Sequence, residues 1–400
     1  MTTTGFTNEG LAALRNEMEG YVDRGEVAGI VTGLQRDGNP MIDAVGVQDL
    51  ASGAPMRPDS IFRIASMTKA VTAVAALQLR EAGAFTMDDP VERWLPELTN
   101  PRVLRTPESE MDDTEPAARA IVIRDLFRYT LGTGALLLPP GTTPIQRAME
   151  EAGVAPGGIP PAHDPDTWMS IMGNLPLIHQ PGADWMYNAG SEFTGVLIER
   201  ITGKDLGTVF AERIFEPLGM VDTGFSVPQA KQDRFATAYR IGDANALEVV
   251  DDPRSGHWSS PPPFRSGTGG LVSTASDYLR FARMLLNGGE LDGERILATG
   301  PVAEMTTDQI GSAEKSAWPS YAPFLGTNGW GYGVAVVTGP DDMGHDPGTY
   351  GWMGGLGTVW DNNPRRNLAG VMLVQRELRG PHDLEIATAF WKNAYAALAD

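Results

Sequence analysis

Apolar and polar positions first alternate with helical period over residues 9–24, where Leu11, Leu14, Met18, Tyr21 and Val22 fall on one face and predict an amphipathic helix. Two strand-like runs follow, residues 29–35 and 41–47, separated by the turn Asp37-Gly38-Asn39-Pro40, so a hairpin comes after the helix. Residues 62–65 lead into Ser66, and residues 67–81 are helix-forming and apolar nearly all round, the mark of a buried helix, with Gly83 ending it. From 88 to 202 the pattern is one of helices and loops with strands hard to find. This stretch includes a Pro- and Gly-rich loop over 132–165, long enough to be functional or mobile. Strand-like runs return at 331–338, 357–360 and 368–375, and a last helix is expected over 382–398.

Elements at both ends of the chain thus compose one α/β domain of the α+β type, residues 1–87 and 205–400, with a mainly helical domain at 88–204 and a cleft between them. There is no internal repeat and no flexible linker. Four hundred residues with 42% hydrophobic side chains suffice for a large core. The absence of cysteine removes disulfides, thiolate metal sites and cysteine nucleophiles together. A formal charge of -20 argues against nucleic acid or an anionic membrane as partner. The opening MTTTGFTNEG lacks the basic start and apolar run of a secretory signal, and no stretch has the length of a membrane span, so a cytoplasmic protein is expected.

Only five lysines occur, and Lys69 has the most apolar context. Ser66-Met67-Thr68-Lys69 sets a hydroxyl at a helix start and an amine three residues on, on the same face one turn later. Serine needs a base to become nucleophilic, and burial makes a lysine amine easier to deprotonate. A second S-x-x-K, Ser312 to Lys315, lies in a polar stretch with no buried helix behind it and reads as chance. The nearest approach to a G-x-S-x-G elbow, residues 224–228, lacks its closing glycine. The five histidines show no zinc spacing, and His345 and Asp342 read as surface or cleft-edge groups. No nucleotide-binding fingerprint appears, so the expected chemistry uses no cofactor.

The run IFRIASMTKAVTAV at 61–74 resembles the nucleophile segment of class C β-lactamases and family VIII carboxylesterases. FTMDDPVERWLPEL (85–98), WMYNAGSEFTGVLIERITG (185–203) and GGLVSTASDYLRFARMLLNGG (269–289) resemble later segments of the same families, so the likeness spans nearly the whole chain. It implies a β-lactamase/transpeptidase-like fold, with an antiparallel sheet flanked by helices, and Ser66, Lys69 and Tyr187 as catalytic residues. Tyr187 matches the tyrosine of the family's Y-x-N, although Ala189 stands where the asparagine would be, with Asn188 between them. Trp352-Met353-Gly354 takes the place of K-T-G, as W-x-G does in family VIII esterases, and the N–H of the next residue, Gly355, would complete an oxyanion hole with that of Ser66.

In RDLFRYTLGTG (124–134), Tyr129 and Leu131 replace the histidine and serine common in the family. Trp352, Met353, Gly354, Tyr129 and Asn188 are the expected substrate contacts. A lysine that would hold a β-lactam carboxylate is missing, with Arg265 and Arg376 as potential substitutes. The resemblance therefore implies hydrolysis of small uncharged esters with short acyl chains through an acyl-enzyme. A β-lactamase or D-peptidase, an acyltransferase and a non-catalytic binding protein of the same fold are the alternatives.

Overall fold

The structure, a computed structural model, describes residues 5–38, 40–242, 245–311, 325, 328–380 and 382–399. The second S-x-x-K at 312–315 lies outside them. Helix α1 (Asn8–Asp23) starts at a Thr7 cap whose side chain accepts from the Gly10 N–H, and it leads into β1 (Gly29–Gln35), β2 (Met41–Asp49) and the short β3 (Ala54–Pro55). Helices α2 (Thr68–Glu81), α3 (Ala189–Thr202) and α4 (Ala275–Leu286) follow at intervals. The chain then returns to the sheet through β4 (Asn328–Trp330), β5 (Ala335–Val337), β6 (Tyr350–Gly354), β7 (Thr358–Asn363) and β8 (Leu368–Val374), and α5 (Glu385–Ala396) comes last.

The eight strands form one sheet in the order β4-β5-β6-β7-β8-β1-β2-β3, with every pairing antiparallel. Its centre joins the two ends of the chain, since β1 pairs with β8 from Ile30↔Val374 to Gln35↔Ala369. The period of two along a strand sorts β8 between two cores. Ala369, Val371 and Leu373 face a core that includes Val71, Val74 and Leu77 of α2 and Leu279 and Ala282 of α4. Leu368, Met372 and Val374 face Leu14 and Met18 of α1 and Phe390 and Trp391 of α5. Both faces of the central strands are covered, which is why they read as continuous apolar runs.

Two expectations need correction. The run expected as a strand over 331–338 is a turn followed by the short β5: β4 ends at Trp330, and the turn that joins it to β5 holds Gly333 at φ +72°, a left-handed conformation that glycine tolerates. The stretch 132–165 is not all loop, because a helix at Pro144–Glu151 is closed by a capping box between Thr143 and Gln146. The 88–202 segment also holds a small ribbon, Arg102–Leu104 paired with Thr114–Pro116. Among the described residues no helix is long and apolar enough to cross a membrane.

Candidate active site

Ser66 sits in a 3-10 turn, Ala65–Met67, and α2 proper begins two residues later at Thr68. The turn is held from three sides. Tyr278 on α4 donates to the Met67 carbonyl at 2.8 Å, Thr358 on β7 donates to the Ile64 carbonyl at 3.1 Å, and the Leu271 N–H donates to Thr68 Oγ1 at 3.1 Å. Ala65 has φ +44°, an uncommon backbone for a residue with a Cβ, so the surrounding contacts hold the chain in a strained bend just before Ser66. No sequence signal marked that strain.

One turn on, Lys69 is wholly buried, and its Nζ donates to Ser66 Oγ at 2.7 Å and to the Thr268 carbonyl at 3.0 Å. Burial pushes its pKa well below the usual lysine range, with the negative charge of Glu192 opposing. Tyr187 shares a hydrogen bond with Ser66, and its ring lies 4.6 Å from Lys69 Nζ. Burial pushes the phenol up, so it remains protonated, while hydrogen bonds with Ser66 and Trp352 work in the other direction. The arrangement therefore offers a half-buried hydroxyl, an amine able to accept its proton and a phenol able to give one.

The strand beside the serine is β6, whose pairing with β5 ends at Gly351. Trp352 points to the same side as Tyr187, and its Nε1–H donates to the Tyr187 hydroxyl at 2.7 Å. It is 6% exposed, so it acts first as a partner of Tyr187 and only marginally as a wall for substrate. Gly354 is required by close approach: a Cβ there would lie 2.5 Å from the Ile64 carbonyl and 2.3 Å from Thr358 Oγ1. At Gly355 a Cβ would meet nothing within 4 Å, and this residue is exposed beside the serine turn. Gly355 lies in the turn between β6 and β7, and among the turn and loop bonds of the described residues none takes its N–H.

The remaining expected contacts fall elsewhere. Tyr129 is 1% exposed, has φ +60°, and bonds Ser191 Oγ at 2.5 Å within a cluster that also holds Trp185, Trp330 and Trp352, so it supports the site from behind. Met353 faces the opposite side of the sheet, as alternation along β6 requires, and lines a cavity of about 990 Å³ with His345, Asp361 and Leu384. Asn188 takes φ +95° at the start of α3 and offers its carbonyl to Thr268 Oγ1 at 3.2 Å. Arg265 is paired with Asp205 and the buried Arg376 with Asp383. His345 is not a surface group: its Nδ1 lies 2.7 Å from Asp341, its Nε2 faces Asp361 at 3.7 Å, and Asp342 alone of that loop pair is exposed. Glu192 and Trp330 complete the site's surroundings and were not singled out from sequence.

The beta-lactamase family model matches residues 14–391. The chain belongs to the beta-lactamase family. Among family relatives, an uncharacterized protein of Mycobacterium tuberculosis is 38% identical, over 88% of this chain and 87% of its own. Esterase EstB of Burkholderia gladioli is 30% identical over 84% and 83%. Of solved structures, EstCE1, described as a hydrolase with promiscuous acyltransferase activity, superposes with a TM-score of 0.76 at 25% identity, covering 97% of this chain and 99% of that one. The fold is that of β-lactamases and transpeptidases, and the chain is a hydrolase of that fold, related to esterases and acyltransferases.

Proposed function

We propose that the chain is a serine carboxylesterase for uncharged esters with short acyl chains. The observation that carries this is the buried Lys69 amine, 2.7 Å from the Ser66 hydroxyl. Neutral Lys69 takes the Ser66 proton as Oγ attacks the ester carbonyl, and the oxyanion forms against the N–H groups of Ser66 and Gly355. Tyr187 protonates the departing alkoxide as the C–O bond breaks, leaving an acyl-enzyme. Water then attacks that ester, giving its proton to the Tyr187 phenolate, and the acid leaves as Lys69 returns the proton to Ser66 Oγ.

Trp352 supports esters over β-lactams. A cation at this position would hold a substrate carboxylate, whereas the indole N–H is committed to Tyr187 and the aromatic surroundings carry no charge. Arg265 and Arg376 are engaged by Asp205 and Asp383. Side-by-side kinetics on p-nitrophenyl acetate or butyrate and on nitrocefin should give the higher specificity constant for the esters, and the reverse order would overturn this reading.

The likeness to EstCE1 favours a second outcome at the same acyl-enzyme, in which an alcohol replaces water as acceptor. Product analysis with added alcohol separates the two, because transfer yields a new ester and hydrolysis only acid. Trp352→Phe keeps the aromatic bulk and removes the N–H that orients Tyr187. It should lower kcat about tenfold, the equivalent of one hydrogen bond, with KM within about twofold. A fall confined to KM would instead make Trp352 a substrate contact.

A further inference from the structure

If Ser66 is activated by Lys69, as proposed above, the place and charge of that amine govern acylation. Among the described residues Lys69 forms no ion pair; its partners are Ser66 and one carbonyl, that of Thr268. Thr268 belongs to a loop, 266–269, that bridges α2 and α3. Thr72 on α2 donates to the Gly267 carbonyl at 2.6 Å, and Thr268 Oγ1 donates to the Asn188 carbonyl at the start of α3 at 3.2 Å. A Cβ on Gly267 would lie 2.6 Å from the Ser191 carbonyl, so the loop is pressed against α3.

At the head of this loop stands Glu192, on α3 and 9% exposed. Its Oε1 accepts from Ser266 Oγ at 2.5 Å, and Ser266 Oγ accepts in turn from the Gly269 N–H at 3.0 Å. A buried carboxylate is costly unless it is compensated, and packing alone would be served by an apolar side chain here. We infer that Glu192 is the positioning residue that, through Ser266 and the 266–269 loop, holds Lys69 Nζ against Ser66 Oγ, and that its negative charge works against the loss of that amine's proton.

Burial pushes the Glu192 carboxyl up to about 6, against the pull of Ser266, Lys69 and the N–H groups of Thr268 and Gly267. Above that pH it is ionised and opposes the loss of the Lys69 proton. The other titratable groups facing this pair are Tyr129 and Tyr187, both held protonated by burial. Burial is the larger influence on Lys69, and Glu192 is the negative charge that opposes it.

Charge and position can be tested separately by following Ser66 acylation with a fluorophosphonate as a function of pH. Glu192→Gln retains an acceptor for Ser266 but removes the charge. The Lys69 pKa then falls, the amine stays a base to lower pH, and the acid limb should move down by about one unit with the plateau within a few-fold of wild type. Ser266→Ala keeps the charge and breaks the tether, so the limb should stay in place while the plateau falls about tenfold. Glu192→Asp, which shortens the tether and keeps the charge, should behave like Ser266→Ala and decides the matter if the Gln variant does not fold. A limb that is unmoved in Glu192→Gln, or that moves in Glu192→Asp, overturns the inference, as does an unchanged plateau in Ser266→Ala. A wild-type protein that is not labelled at Ser66 instead sinks the reading of the site on which this inference rests.

Discussion

Ser66→Ala is expected to lower kcat/KM for p-nitrophenyl acetate by about 10⁴-fold or more and to abolish the mass increase seen after fluorophosphonate treatment. The expectation is large because the Ser66 hydroxyl is the one nucleophile that meets both Lys69 Nζ and Tyr187 in this site. Its removal leaves the oxyanion donors with no covalent step to stabilise. The fold should be unaffected, since alanine fits the 3-10 turn and the contacts that hold that turn come from Tyr278, Thr358 and Leu271. Turnover within about tenfold of wild type would remove Ser66 from the mechanism.

Lys69→Met should cost about 10²–10⁴-fold in the rate of acylation, the range of general-base catalysis, while thermal stability stays the same or rises. The two effects have one origin. Burial disfavours the ammonium form of Lys69, which makes the amine a base and also makes it an expensive core residue. Methionine fills nearly the same volume without a charge to desolvate, at the loss of one donor to the Thr268 carbonyl. Thermal melts and stopped-flow acylation on the same preparation would check both. A lower melting temperature together with full activity would mean that Lys69 is structural.

The parts of this molecule that sequence disclosed were those set by local periodicity. α1, β1, β8 and α5 follow from their apolar patterns, and the reach of Lys69 to Ser66 follows from helical spacing. Tyr187 and Trp352 are far from Ser66 in sequence, and only family likeness pointed to them. Their mutual hydrogen bond depends on how β6 meets the turn before α3, which no local pattern encodes. The strain at Ala65 and the burial of Tyr129 and Glu192 are likewise tertiary, since each residue type is unremarkable in its own segment. Two misplacements were avoidable from local rules. Alternation along a strand already puts Met353 on the face opposite Trp352, and the Thr143 and Gln146 pair is a helix-start signature.

The pairing of β1 with β8 also governs the timing of assembly. Ile30 and Val374 are partners although more than 300 residues of chain lie between them. At a synthesis rate of about 5–20 residues per second, β1 waits roughly 20–70 s after leaving the ribosome before its neighbour exists. Throughout that interval one of its edges lacks the partner that completes the sheet, and the face that α1 covers still lacks Phe390 and Trp391 of α5. The sheet that carries Trp352 therefore closes only once β8 has been made, and a nascent chain halted before β8 would expose an apolar strand edge to chaperones and to other copies of itself.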